Sequence, residues 1–292
     1  MDGDVSGAGA APARASDAGP LCVAAAMLSH VGCVRSSNED SVIYSVPADN
    51  GPSAAHGALM LVADGMGGHA AGEIASRIAA QSIHHLFYRQ VQDVPAALAE
   101  GFAAANHAIR ERSKSDPECA GMGTTCTAIV LRDGHFWLGH VGDSRAYLVR
   151  NGKVFRISED DSLVAEMVRR GNITEEEAKT FPDRNVILRA LGIEDEVKPM
   201  IWHEGLPAKV GDVVVLCTDG LSDLVDDNFI RDIAGWLAPY EACQAFIDAA
   251  LAANASDNVS VGVMAVTRDD DRSRVGRRTS PIESSLPKRE PT

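Results

Sequence analysis

Leu59-Met60-Leu61-Val62-Ala63-Asp64-Gly65-Met66-Gly67-Gly68-His69 is the stretch on which the reading of this chain turns. Its apolar run is short, uncharged and bounded by turn residues, which predicts a buried strand. Asp64 then falls at the strand's end, beside backbone that Gly65, Gly67 and Gly68 leave uncovered. There a carboxylate and a neighbouring carbonyl can face a hard cation or a phosphate together. Asp-Gly is also a common hairpin turn, and the chain offers its own comparison. Asp133-Gly134 lies between the apolar stretches 127–131 and 135–138 and reads as a two-residue hairpin. After Asp64 the pattern turns helical from about Ala70, so a hairpin does not account for it.

The same logic recurs elsewhere. Val214-Val215-Leu216-Cys217-Thr218-Asp219-Gly220 is a second apolar strand ending in Asp-Gly. Asp257 precedes the strand-like run from Val259, Glu39-Asp40 precedes Ser41-Val42, and Asp143 separates two strand-like runs. Each of these alone is equally well a cap or a turn. Together they place five carboxylate clusters at strand ends, and a sandwich of such strands could gather Asp64, Asp219 and Asp257 at one rim.

Strand-like runs lie near 21–28, 41–46, 58–63, 124–131, 135–141, 145–149, 153–157, 197–203, 213–218 and 259–266. Helical patterns cover about 70–90, 94–115, 161–171, 227–237 and 239–253. In the first of these, Ala71, Ile74, Ala75, Ile78, Ser82 and Leu86 make one small, apolar face. Asp133-Gly134 and Asn151-Gly152 are short turns that favour antiparallel pairing. The pattern predicts an α+β fold, a four-layer α-β-β-α sandwich with two central, mostly antiparallel sheets.

The 292 residues are long for one domain but within reach of a single large unit, and 45% are apolar, enough for a sizeable core. A net charge of -14 argues against a nucleic-acid surface and against anionic lipid. The six cysteines show no Cys-x-x-Cys spacing, and four lie inside or beside apolar strand-like runs, which reads as reduced, buried thiols. No apolar run approaches a membrane span, and no basic segment or cleavage pattern flanks 21–28. A cytoplasmic protein is the expectation. Residues 1–20 and 268–292 read as disordered, solvated tails around a unit over 21–267. Nothing demands more than a monomer.

Carboxylates without His or Cys partners suit Mg²⁺ or Mn²⁺ better than zinc. Two such ions about 3.5–4 Å apart can activate a water and hold phosphoryl oxygens for in-line attack. The remaining phosphate charge calls for a cation, and Arg35 could grip two phosphate oxygens with its planar fork. A surface ion pair with a nearby acid is an equal reading of Arg35.

At this point the motifs resemble a family. Ser29-His30-Val31-Gly32 through Arg35 to Asn38-Glu39-Asp40, then Asp64-Gly65-Met66-Gly67-Gly68-His69, are similar to the bacterial branch of the type 2C (PPM family) metal-dependent serine/threonine protein phosphatases. Further matches are Gly121-Met122-Gly123-Thr124-Thr125, Gly142-Asp143-Ser144-Arg145, Asp161-Ser162-Leu163-Val164 and Arg189-Ala190-Leu191-Gly192. Thr218-Asp219-Gly220-Leu221-Ser222-Asp223 and Asp257-Asn258-Val259 complete the series, which spans about 21–267.

The resemblance implies that Asp64 bridges two metal ions, that the Gly65 carbonyl ligates one, and that Asp219 and Asp257 complete the shell of the other. It implies that Glu39 and Asp40 hold metal-bound waters, that Arg35 clamps the substrate phosphate, and that Asp143 helps bind a third, weaker ion. The implied cofactors are two divalent cations, Mn²⁺ or Mg²⁺. The implied reaction is hydrolysis of phosphoserine and phosphothreonine in phosphoproteins by a bridging hydroxide, opposing a bacterial serine/threonine kinase. Thr124, Thr125, Ser144 and Arg145 read as packing and strand support. Residues 162–191 correspond to a flap beside the site, with Thr174 and Glu177 as a capping box.

Two departures matter. Animal relatives have a histidine after the Asp-Gly pair where Met66 stands, which leaves the proton donor to the leaving alcohol unassigned, with a metal-bound water and His69 as candidates. Asp160-Asp161-Ser162 stands where relatives often show Asp-His-Ser. A non-catalytic phosphoprotein-binding regulator on the same fold is the alternative. A degenerate member should have lost metal carboxylates, and Asp64, Asp219 and Asp257 are all present.

Overall fold

The structure is a computed structural model that describes residues 21–48, 54–67, 71–89 and 93–268. The expected tails, apart from Arg268, and His69 lie outside the described residues. The strands are β1 (Leu21–His30), β2 (Asp40–Ser45), β3 (Ala58–Met66), β4 (Gly123–Thr124), β5 (Cys126–Arg132) and β6 (His135–Val141). They continue with β7 (Arg145–Arg150), β8 (Lys153–Arg156), β9 (Met200–Ile201), β10 (Leu206–Pro207), β11 (Val213–Cys217) and β12 (Val259–Arg268). The helices are α1 (Ala71–Arg89), α2 (Val94–Ser115), α3 (Leu163–Arg169), α4 (Glu175–Lys179), α5 (Asp219–Ser222), α6 (Asp227–Trp236) and α7 (Pro239–Ala252).

One sheet runs β1-β12-β11-β7-β8 and the other β10-β6-β5-β3-β2, with β4 and β9 attached to β3 and β6. Every pairing among the described strands is antiparallel. The two-residue turns explain much of this. Asp133 and Gly134 adopt φ 50° and 71°, and Asn151 and Gly152 adopt φ 53° and 70°. Both pairs are turns whose two positive φ values match the twist of the strands they join.

Alternation along each strand builds three apolar layers. In β3, Leu59 and Leu61 face α1 and α2, while Met60 and Val62 face the opposite sheet. In β11, Val215 and Cys217 face α6 and α7, while Val214 and Leu216 meet Met60 and Val62 between the sheets. Both sheets are thus covered on both faces, which is why these strands read as continuous apolar runs. The expected α-β-β-α sandwich is the observed architecture.

Three local expectations shift. The buried stripe of α1 is Ala71, Gly72, Ala75, Ser76, Ala79, Ala80, Ile83 and Phe87, rotated from the expected face because the smallest side chains let the helix axis sit close to the sheet. β3 runs on through Asp64 to Met66, since Gly65 and Met66 find partners in Thr124 and Gly123. β12 reaches Arg268, paired with Leu21 and one residue beyond the expected end of the unit.

Candidate metal centre

Five segments deliver the acidic residues to one rim. Asp40 opens β2 and stands opposite Asp64 across the β2–β3 ladder. Asp143 lies between β6 and β7, Asp219 begins α5 directly after β11, and Asp257 lies two residues before β12. Arg35 and Glu39 belong to the connection from β1 to β2. Asp40 and Asp64 therefore come from one sheet, while Asp219 and Asp257 flank neighbouring strands of the other. The charges of Asp40, Asp143, Asp219 and Asp257 all reach Asp64, and those of Glu39, Asp64 and Asp257 reach Arg35.

The Asp64 backbone is gripped by two threonines. Its N–H donates to Thr125 Oγ1 at 3.0 Å, and its carbonyl accepts from the Thr124 hydroxyl at 2.8 Å and the Thr125 N–H at 2.9 Å. The Thr125 hydroxyl bonds that of Ser144 at 2.8 Å. The support expected of Thr124, Thr125 and Ser144 thus reaches the carboxylate-bearing residue itself. Arg145 forks onto Asp160 instead, at 3.0 Å from Nε and 2.8 Å from Nη2.

Gly65 is a glycine for lack of room. A Cβ there would lie 2.1 Å from the Gly72 carbonyl oxygen and 2.5 Å from that of Glu39. The first turn of α1 presses against β3 at this point, and Ser76 Oγ ties it to the Glu39 carbonyl at 2.6 Å.

Crowded carboxylates set the electrostatics. Burial, reinforced by the charges of Asp40, Asp219, Asp143 and Asp257, raises the Asp64 carboxyl well above the usual range. Burial likewise raises Asp40 to about 7, Asp143 to about 8 and Asp219 to about 6, each aided by other acids nearby. Burial also raises Glu39, against the pull of Arg35. With every carboxylate ionised, Asp40 Oδ1 and Asp219 Oδ1 are buried without a hydrogen-bond partner.

Among the described residues, no three His, Cys, Asp or Glu side chains form a closed metal cage. Asp257 is turned onto Arg35, Oδ2 to Nη2 at 2.7 Å, while its Oδ1 accepts the Asn258 N–H at 2.8 Å. The donor set nevertheless fits a hard divalent cation: it is all oxygen, it is dense in negative charge, and it holds buried oxygens with nothing to bind.

The sequence reading passed over Asp223 as a site residue. It follows Asp219 by one helical turn, its N–H bonded to the Asp219 carbonyl at 2.9 Å, and after burial its charge contributes most to raising Asp219. The i, i+4 spacing was the available signal. The region expected as a flap carries α3, α4 and the expected capping box at Thr174 and Glu177. Its two ends are joined: Leu163 N donates to the Val186 carbonyl at 2.8 Å and Leu188 N to that of Asp161 at 2.6 Å. The Asp161 carboxylate accepts from Gly142 N at 3.1 Å and from the Arg189 guanidinium, so the joined ends of this region rest on the Asp143 turn.

Comparison with known proteins agrees with this geometry. The family description "Protein phosphatase 2C" matches residues 37–254. The serine/threonine protein phosphatase PstP of Mycobacterium tuberculosis is 40% identical over 240 residues, 82% of this chain and 44% of that protein. The chain thus spans less than half the length of that relative. The serine/threonine phosphatase stp of Listeria monocytogenes is 32% identical over 244 residues, 82% of this chain and 93% of that one. Among solved structures, the PstP catalytic domain in complex with two manganese ions superposes with a TM-score of 0.74 at 39% identity, covering 85% of this chain and 100% of that one. On fold, rim and sequence alike, the chain belongs to the protein phosphatase 2C family.

Proposed function

We propose that this chain hydrolyses phosphoserine and phosphothreonine in phosphoproteins, using two divalent cations, Mn²⁺ or Mg²⁺, and so opposes a serine/threonine kinase. The observation that carries the reading is the meeting of Asp40, Asp64, Asp143, Asp219 and Asp257 at one rim, with two buried carboxylate oxygens unpartnered and a guanidinium beside them. The manganese pair in the PstP catalytic domain supports the same assignment.

Asp64, the Gly65 carbonyl, Asp219 and Asp257 would hold the cations, with Asp143 serving a third, weaker one. When bound, such ions supply an activated water and positive charge against the phosphoryl oxygens. The chain does the rest. Glu39 and Asp40 accept hydrogen bonds from waters at the rim and fix their orientation. Arg35 binds phosphate oxygens through its fork once Asp257 no longer occupies it. Thr124 and Thr125 keep Asp64 from following its charge toward solvent. No described helix is long and apolar enough to cross a membrane, and five of the six cysteines are free and buried. A cytoplasmic, monomeric enzyme is the proposed form.

The test is turnover of a phosphoserine peptide with and without metal. We expect release of phosphate that depends on added Mn²⁺ and stops with EDTA. Tight binding of the peptide with no turnover at any Mn²⁺ concentration would favour the non-catalytic regulator instead.

A further inference from the structure

Asn258 lies in none of the roles above, yet it is buried at 4% exposure with its amide fully used. Its Oδ1 accepts the Glu39 N–H at 2.8 Å, and its Nδ2 donates to the carbonyls of Val31 and Ser37, each at 2.9 Å. Those three residues bracket the connection that carries Arg35. Between residues 31 and 39 there is no helix or strand, and positions 33–37 are exposed. Val34 is 67% exposed, so no apolar anchor holds Arg35 from below.

The backbone beside Asn258 is just as confined. A Cβ on Gly32, whose φ is +81°, would lie 2.1 Å from the Asp257 carbonyl oxygen. A Cβ on Gly220 would lie 2.0 Å from that of Asn258. Cys33 N adds a bond to the Ala255 carbonyl at 2.8 Å. Residues 257 and 258 are thus clamped between the Arg35 connection on one side and the Asp219 turn on the other.

We propose that Asn258 is a positioning residue that fastens the Arg35 connection to the metal-binding end of β12, so that the guanidinium stands at a fixed place over the bound phosphate. This rests on the reading of Arg35 as the phosphate clamp. A connection without a core of its own owes its shape to its hydrogen bonds, and a displacement of about 1 Å in a substrate-positioning group can cost on the order of 100-fold. One amide that spans both ends of the connection restrains it more than separate local bonds would.

The experiment is a double-mutant cycle on the Mn²⁺-loaded protein with Arg35→Ala and Asn258→Ala. The readouts are KM and kcat for p-nitrophenyl phosphate, the inhibition constant of inorganic phosphate, and Mn²⁺ affinity by calorimetry. Asn258→Ala should raise KM and weaken phosphate inhibition about tenfold, with kcat and Mn²⁺ affinity within about threefold of the parent. In the Arg35→Ala background the same change should add less than about twofold. Equal factors in both backgrounds, or a tenfold loss of Mn²⁺ affinity with phosphate inhibition unchanged, would overturn the proposal. Should Arg35→Ala alone leave phosphate inhibition unchanged, the clamp reading itself fails, whatever Asn258 does. Asn258→Ser guards against a variant that does not fold, because it keeps a polar group in the same buried place but cannot reach the Glu39 N–H and the Val31 and Ser37 carbonyls together. It should show the phosphate defect in the same direction, and a folded Asn258→Ser protein, checked by its thermal melt, with normal phosphate inhibition would count against the proposal.

Discussion

Among the described residues Asp-Gly occurs three times, and the three pairs divide by physical cause. At Asp133-Gly134 both residues have positive φ, and a Cβ on Gly134 would find nothing nearer than Leu21 Cδ1 at 4.0 Å. There glycine is required by backbone conformation. At Asp64-Gly65 and Asp219-Gly220 the glycine φ is ordinary, but a Cβ would fall 2.1 Å and 2.0 Å from a backbone oxygen. There glycine is required by crowding, because the backbones on which the carboxylates stand are packed against other segments of the rim. The aspartates divide likewise: the Asp133 side chain is 87% exposed beside Arg132, whereas Asp219 has a buried oxygen without a partner. The same two letters mark a turn in one place and a site in the other.

Removing the charge separates the two most sharply. Asp64→Asn should lower kcat for p-nitrophenyl phosphate on the order of 10³-fold, since it takes away a proposed metal ligand that would be worth several kcal/mol of transition-state stabilisation. Asp133→Asn should leave kcat within about twofold, because asparagine adopts positive φ as readily as aspartate and the side chain faces water. Parallel losses in the two variants would erase the distinction.

The glycines divide by stability. Gly220→Ala drives a methyl group into the Asn258 carbonyl and should cost about 3 kcal/mol, a fall of about 6–12 °C in Tm. Gly134→Ala has room for its methyl and pays only for positive φ, about 1 kcal/mol. Thermal melts in EDTA would rank them free of any metal contribution, and equal shifts would mean that crowding at Gly220 is relieved by a small backbone movement.

These contrasts also mark what the sequence could carry. The hairpins at Asp133-Gly134 and Asn151-Gly152 were legible because turn chemistry is local and the strands on either side alternate cleanly. The sandwich followed from strands too apolar for one wet face. β10 and α5 have two and four residues, too short for any period to register, and β9 keeps only Met200–Ile201 of the run expected near 197–203. The extension of β3 through Gly65 and Met66 depends on Thr124 and Gly123, whose approach no local pattern announces. At the site, residue types and strand-end positions singled out the carboxylates, but their meeting depends on how two sheets pack. Arg35 shows the limit most plainly. Its two readings, phosphate clamp and ion pair, were equal on sequence, and the structure holds the ion pair with Asp257.

The rim carboxylates carry a stress that an exposed acid such as Asp133 escapes, and pH should reveal it. An acid whose pKa is raised by folding binds its proton more tightly in the folded state. Its contribution to stability is therefore complete below the unfolded value near 4 and is lost as pH climbs through the folded value. Burial, with help from neighbouring acids, puts those folded values at about 6 for Asp219, about 7 for Asp40 and about 8 for Asp143. In EDTA the urea midpoint should thus fall between pH 5.5 and 8.5. One proton retained across about two pH units corresponds to a loss of about 2.7 kcal/mol. Mn²⁺ favours the ionised carboxylates and should abolish the fall, because the cation takes over the charge that the protons had neutralised. Equal slopes with and without Mn²⁺ would place the stress somewhere other than the rim, and the crowding at Gly65 and Gly220 would then be a matter of packing alone.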